Sequence, residues 1–448
     1  MSRRTQSVGF RGLEDSPPTT LTSVAGKNFS AETALTLNRG ESANMRLPLS
    51  LSTVIAVQGV CGLGLVAAIL LTPAEARIVG ETVLAPVSQP LDQPIPRQVP
   101  LVIEPLHDDP TVVSDEELIA VLKKVQPRFQ PEKLRPNLVE HALRTWWIKS
   151  EFRDPAVMSG VAMKDYLTDH GRYLAAWGVE TDPLLLDRDG GIAIRWGQTA
   201  GASVHHDHWL ASLTEAGIHL DDPVMTPNRH DGTIRDVLHR ALLDFRLDET
   251  EVEWSAMAFG LWLAPVKEWR TLDGRRHSFD DLATRLIRGH RRFGVCTGTH
   301  RVYSLAVLMR LDDDHKILSP QTRADVENHL LSIRDLIAVS QREDGRWPGN
   351  WWDGAVAAKA PLNEPLYKQV IATGHHLEWM AIVPEKFHIP RGQIRKAADW
   401  IIRTTVETPD DKILDSYTFF SHVGNALALW RKTHPCDAWA HWESQQAR

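Results

Sequence analysis

Residues 299–341 read THRVYSLAVLMRLDDDHKILSPQTRADVENHLLSIRDLIAVSQ, and the two halves of this stretch have different faces. The first, THRVYSLAVLMRL, is apolar on nearly every side, as a helix surrounded by other helices must be. The second, TRADVENHLLSIRDLIAVSQ, spaces its apolar residues three and four apart with charges between them, so it buries one stripe and exposes the rest. The alternation continues in both directions. Amphipathic members are TIRDVLHRALLDFR (233–246), SFDDLATRLIRGH (278–290) and GQIRKAADWIIRTTV (392–406); apolar, small-residue members are EVEWSAMAFGLWLAP (251–265), HHLEWMAIV (375–383) and SHVGNALALW (421–430). Periodicity predicts helices over about 115–125, 133–150, 162–177, 205–216, 233–246, 251–264, 278–290, 298–311, 321–341, 372–383, 392–406 and 416–432, with one short hairpin near 190–197. Half-exposed helices alternating with nearly buried ones are what two concentric rings require. Six such pairs close into an all-α (α/α)6 toroid over residues 114–448.

The remainder of the chain reads differently. Residues 1–46 are rich in Ser, Thr, Gly and scattered charge, a disordered tail. Residues 47–71, LPLSLSTVIAVQGVCGLGLVAAILL, carry no charge and suffice for a transmembrane helix or signal anchor. Arg46 and the basic excess before it place the tail in the cytoplasm and the bulk of the chain outside, on the periplasmic side. The alternative is translation from Met45 with signal cleavage near Ala76, which exports the same domain. Residues 72–113, proline-rich from 83 to 110, read as a stiff spacer, and Ser114 as the N-cap of the first helix. A net charge of −7 shows no basic excess for a nucleic-acid backbone. Of three cysteines Cys61 lies in the apolar run, and Cys296 and Cys436 are expected too far apart to pair. Sixteen tryptophans against five tyrosines point to a helical core, with some lining an apolar or sugar-stacking pocket.

Function is sought at four histidines, each read at the start of an apolar helix: His206, His300, His376 and His422. Parallel inner helices would bring these starts to one rim, where the positive end of each helix dipole disfavours imidazolium and keeps the rings neutral. Glu253 opens another inner helix at the equivalent position and is a candidate acid or base, with Trp254 beside it. Trp347, Trp351 and Trp352 in WPGNWWD form a lid or a stacking platform for substrate, or a loop packed against the rim. His205, His206, His208 and Asp207 cluster locally, but neighbours on a helix point apart, so at most two of them share a site. Cys296 and His300, four residues apart, can face one ion, and His376 or His422 would complete a three-ligand site with an open position, the arrangement of catalytic zinc.

Gln341-Arg-Glu-Asp344-Gly345-Arg-Trp347 resembles the QxxDGxW repeat of the squalene (terpenoid) cyclase and protein prenyltransferase superfamily, in which it braces an α/α toroid. Asp312-Asp313-Asp314-His315 does not match the protonating DxDD motif, and there is no DDxxD, so isoprenoid cyclisation is not implied. Protein prenyltransferases and lanthionine cyclases, on related toroids, carry zinc on the rim. Thr373-Gly374-His375-His376-Leu377-Glu378-Trp379 is similar to the G-H-x-x-E-W segment of N-acylglucosamine 2-epimerases. That resemblance adds Glu378 and Trp379 to the candidates, sets His375 and His376 in competition for one position, and implies cofactor-free proton exchange beside a sugar carbonyl. The expectation is therefore a membrane-anchored toroid enzyme of epimerase or lyase type acting on a glycan-like or other small substrate. Its alternatives are a non-catalytic toroid that binds a partner or envelope polymer and a zinc-dependent enzyme with Cys296 and His300 as ligands.

Overall fold

The computed structural model describes residues 93–289, 294–361 and 363–446. Among them are fourteen α-helices of eight residues or more: α1 (Asp115–Lys124), α2 (Pro136–Trp146), α3 (Gly160–Thr168), α4 (His170–Trp177), α5 (His208–Glu215), α6 (Ile234–Asp244), α7 (Glu253–Leu263), α8 (Phe279–Arg288), α9 (Thr299–His315), α10 (Pro320–Ser340), α11 (Leu366–Ala381), α12 (Arg391–Glu407), α13 (Tyr417–Leu429) and α14 (Pro435–Gln446). Strand is confined to three antiparallel hairpins, Leu185–Arg188 with Gly191–Ile194, Pro223–Val224 with Gly232–Thr233, and Glu268–Arg270 with Arg276–Ser278. The first lies slightly N-terminal of the hairpin read at 190–197. The other two are too short to leave an alternating pattern. The described chain is all-α in class.

Six helices pack each against the next in a closed cycle, α2, α5, α7, α9, α11, α13 and back to α2. These are the apolar members: every residue of α7 is buried, as are all but the first three of α11. None of the six has a side-chain N-cap, whereas Ser114, Thr233 and Ser278 form capping boxes on α1, α6 and α8 with Glu117, Asp236 and Asp281. The amphipathic helices lie against the outside of the cycle: α8 touches α7 and α9, α10 touches α9, α12 touches α11 and α13, and α1 touches α13. Sequence periodicity records the burial class of a helix, and for α7 to α13 that class matches the contacts, the apolar ones lying in the cycle and the amphipathic ones against it.

Residues 93–113 are not the spacer expected over 72–113. They run as a strap across the C-terminal ends of the ring helices. Arg97 N donates to Trp262 O (3.0 Å), Leu101 N to Leu261 O (2.9 Å), Leu106 N to Ala381 O (3.1 Å) and Asp109 N to Trp430 O (2.8 Å). The last carbonyls of a helix have no partner within it, and a proline-rich extended segment offers its remaining N–H groups to them. The strap also shows that α7, α11 and α13 end on one side of the ring, hence run parallel. The tail and the apolar run at 47–71 lie outside the described residues; within the described residues no helix is long and apolar enough to cross a membrane.

The QxxDGxW segment behaves as a brace. Gln341 Nε2 donates to Gly345 O (2.7 Å) and to Gln393 O (2.8 Å) at the start of α12; Trp347 Nε1 donates to Ile337 O (2.8 Å) in α10, and Thr373 Oγ1 in α11 accepts from Trp347 N (3.0 Å). Gly345 sits at φ 101°, where a Cβ would meet Lys396 O at 2.1 Å, so only glycine closes this turn. Trp347 is fully buried and is therefore a structural residue, the packed-loop alternative rather than a substrate platform. Trp347→Ala should lower unfolding free energy by about 3–5 kcal/mol, and Gln341→Ala, which removes two bonds to carbonyls, by about 1–2 kcal/mol. Urea denaturation of the two variants against the wild type checks both values.

Candidate metal centre

Two of the four histidines do not sit at helix starts, whereas His206 lies in the turn just before α5. His300 is in the first turn of α9, but His375 and His376 are more than halfway along α11, and His422 is in the middle of α13. Thr373-Gly374 and Ser421 look like helix beginnings in the sequence. They are small because α11 and α13 approach closely there: a Cβ on Gly374 would stand 3.9 Å from the backbone and Cβ of His422. The site is thus inside the ring rather than on its rim, with His300, His375 and His422 at 0–1% exposure.

Cys296, His300, His375 and His422 each offer a donor atom within 4.8 Å of the others. The ring centroids of His300 and His375 are 4.3 Å apart, those of His375 and His422 are 4.0 Å apart, and those of His300 and His422 are 5.5 Å apart. Both ring nitrogens of His300 and Nε2 of His375 and of His422 are buried without a hydrogen-bond partner. Buried polar atoms are nearly always bonded, so four such atoms in one place call for an occupant. A cation taken by nitrogen and sulfur donors fits. Donor atoms around a tetrahedral zinc stand roughly 3.3–3.7 Å apart for bonds of about 2.0–2.3 Å, so donors spread over as much as 4.8 Å would draw together by about 1 Å on binding. Cys296 is half-buried on the turn Val295–Gly298, which carries Cys296 and Thr297 at φ 50° and 61°, between Gly294 at 148° and Gly298 at 81°. Two successive non-glycine residues in the left-handed region mark a conformation that the surroundings enforce.

Which histidine joins the cluster is decided by helix rotation. His375 faces it; His376, one residue and about 100° further round, lies between Trp347 and Trp351, with ring centroids 5.1 and 4.6 Å away, and its Nδ1 accepts from Trp379 Nε1 (3.2 Å). His376 is therefore withdrawn from the site, and Trp379 with it. Glu378 is retained, as a partner of the ligands: its Oε2 accepts from His375 Nδ1 (2.6 Å), and its Oε1 accepts from Asn425 Nδ2 (2.6 Å) and pairs with Arg144 NH2 (3.0 Å). Burial opposes its ionisation, but the Arg144 charge and the His375 hydrogen bond outweigh burial and hold the carboxyl well below its usual range. A carboxylate on the far nitrogen of a ligating histidine fixes the tautomer that presents Nε2 to a metal.

Glu253 does not meet the histidines. Its Oε1 accepts from Arg301 Nε (2.9 Å), and burial raises its pKa. Trp254 is a buried wall between His300 (4.2 Å) and His208 (4.3 Å). Trp351 donates from Nε1 to Thr297 O (3.1 Å) and so anchors the cysteine turn, while half-buried Trp352 lines a groove of about 650 Å³ with Leu286, Gly298 and Leu336. Burial, with neighbouring histidines and Arg144 adding to it, depresses His300 and His422 well below the ordinary histidine value. The rings are neutral as expected, though the cause is burial and not a helix dipole.

Helix α2 supplies residues that the sequence did not single out. Arg144 donates to His422 Nδ1 from NH1 (2.9 Å) and pairs through Nε with Glu215 (2.5 Å). Glu140 bonds to His208 Nδ1 and accepts from Ser203 Oγ (3.1 Å), and burial pushes its carboxyl up to about 8. His141 packs between His208 (4.5 Å) and His422 (5.2 Å). A signal existed in PNLVEHALRTW, where Glu140, His141 and Arg144 interrupt an otherwise apolar face at helical spacing.

His206 lies elsewhere, in a separate cavity of about 100 Å³ lined by Trp196, Asp207 and Arg240. No family model matches the chain, and neither a curated protein nor a solved structure matches it. His206 Nδ1 is 3.4 Å from Asp207 Oδ2, an ion-pair distance without hydrogen-bond geometry. The Asp207 charge, against opposing burial, raises the His206 pKa to about 9. A folded-state value above the unfolded one contributes stability in full below about pH 6.5, and that contribution is lost as pH rises through 9. His206→Gln should therefore cost on the order of 2 kcal/mol more at pH 6 than at pH 10. Equal losses at the two pH values in urea titrations would contradict the assigned ion pair.

Proposed function

We propose that this chain is a metal-dependent enzyme built on an (α/α)6 toroid, with one transition-metal ion held on the toroid axis at the Cys296, His300, His375 and His422 cluster. The observation that carries the reading is the set of buried, unpartnered ring nitrogens facing one another beside a thiol. One cysteine among histidines is a borderline donor set that suits zinc before magnesium or calcium. Zinc in such a site polarises a carbonyl and lowers the pKa of bound water, which serves hydrolytic and lyase chemistry. The chain's own contribution is to hold the His300 and His422 rings neutral, to fix the His375 tautomer through Glu378, and to keep Arg144 as a balancing charge. The groove beside Gly298 and Trp352 is the route by which a small, oxygen-rich substrate such as a glycan unit would approach.

In this proposal residues 47–71 anchor the chain in a membrane with the toroid outside the cytoplasm, or are removed as a signal segment, and a cofactor-free epimerase-like exchange becomes the secondary reading. A purely structural metal is a third reading, favoured by the near-complete burial of the three histidines; in that case a binding role for a partner or envelope polymer remains in view. Elemental analysis of the purified full chain should find about one zinc, or another first-row transition metal, per chain. His375→Ala should reduce that content at least tenfold and, by losing a ligand that stabilises only the folded state, lower the thermal midpoint by several degrees. Metal-free wild-type protein that neither takes up zinc nor gains thermal stability on its addition would remove the proposal.

A further inference from the structure

An imidazole nitrogen binds a metal through its lone pair, and a neutral ring has one lone pair and one N–H. The hydrogen bond on the far nitrogen therefore decides whether Nε2 can be a ligand. For His375 the partner is the Glu378 carboxylate, an acceptor, so Nδ1 carries the proton and Nε2 is free to ligate. For His422 the partner is Arg144 NH1 at 2.9 Å, and a guanidinium is always charged and only donates. Nδ1 of His422 must then be the acceptor, and the proton sits on Nε2.

Arg144 is not placed to yield this bond. Its Nε and NH2 are engaged by Glu215 and Glu378, its guanidinium lies 5.0 Å over the Tyr303 ring, and the side chain is 2% exposed. Glu378 Oε2 stands 3.8 Å from His422 Nδ1, beyond hydrogen-bond range, and does not compete. His300 has neither nitrogen engaged, so it is free to present a lone pair. Among the four clustered groups, Cys296, His300 and His375 offer electron pairs, and His422 offers an N–H.

Resting on the metal centre proposed above, we infer that the ion is held by Cys296, His300 and His375, and that His422 faces its fourth coordination position as a hydrogen-bond donor. The position is then a binding site for an oxygen of a small carboxylate or carbonyl compound, which coordinates the metal and accepts Nε2–H. Three protein ligands with one open position is the pattern of a catalytic zinc site, whereas four protein ligands make a closed, structural one. An N–H buried without an acceptor is unfavourable, and a bound oxygen removes that penalty. Trp254 Nε1, also buried without a partner on a ring 4.2 Å from that of His300, is a second donor beside the centre, which favours an acceptor-rich, anionic ligand.

The test uses the full chain, stripped of metal and loaded with cobalt(II), with acetate as the probe. Cobalt titration should give one ion per chain with sulfur-to-cobalt charge-transfer absorption in the wild type, and His422→Ala should bind cobalt within about tenfold of wild-type affinity while His375→Ala binds at least a hundredfold more weakly. Acetate should perturb the visible cobalt spectrum of the wild type, bind His422→Ala about tenfold more weakly, and recover part of its affinity in His422→Gln, whose amide keeps an N–H donor. In the cobalt-loaded wild type, proton NMR should show two exchangeable contact-shifted imidazole N–H signals, from His300 and His375, so the answer does not depend on any variant folding. Three such signals, or loss of cobalt from His422→Ala to the extent seen in His375→Ala, would make His422 a ligand and overturn the inference. Unchanged acetate affinity in His422→Ala would overturn it as well. A wild type that binds no cobalt fails earlier, at the metal centre itself.

Discussion

Five of the six ring helices meet at one side chain. Arg144 of α2 is bonded to Glu215 of α5, Glu378 of α11 and His422 of α13, and stacks on Tyr303 of α9, whose hydroxyl donates to the same Glu215 (2.8 Å). A guanidinium taken out of water costs several kcal/mol unless its donors are all engaged, and here burial is tolerated because two carboxylates, a ring nitrogen and an aromatic face surround it. What the arginine fixes is rotation: each helix must turn a particular residue to the axis for the network to be complete, and that rotation sets which histidines face one another.

The histidine cluster follows from this arrangement. With Glu378 held ionised by Arg144, His375 Nδ1 has an acceptor and its Nε2 is turned to the centre. With Arg144 NH1 on His422 Nδ1, the opposite tautomer is set on α13, although the two rings are only 4.0 Å apart. One charged pair thus gives two chemically identical side chains different properties. Low dielectric inside the ring strengthens both effects, and it also keeps His300 and His422 neutral.

The two ends of the ring are finished differently. At the C-terminal end the strap of residues 97–109 bonds to carbonyls that the helices leave open. Toward the cysteine turn, Trp351 and Trp254 cover the cluster, and half-buried Cys296 lies next to the groove at Gly298. The short turn with residues held in the left-handed region thus lies beside the cluster, and the extended, hydrogen-bonded cover lies on the far side.

The sequence by itself determined the burial class of the helices from α6 to α13, because burial on all sides or on one stripe leaves a periodic record that needs no knowledge of neighbours. It also determined the brace at 341–347, whose glycine and tryptophan are dictated by local geometry, and it put Cys296, His300, Glu378 and His422 among the candidates. Tertiary structure alone decided the rest. Whether His375 or His376 faces the axis depends on the rotation of α11, a choice of about 100° that no local pattern records. His206 and Glu253 resemble site residues in sequence, yet packing gives them Asp207 and Arg301 as partners. Arg144, Glu140 and His141 interrupt the apolar face of α2 at helical spacing, but only its place in the ring gives them Glu215, His208 and His422 as neighbours. Proline spacing described the strap as extended, which it is, but the carbonyls it covers are brought together only when the helices close, so its docking could not be read from its own residues.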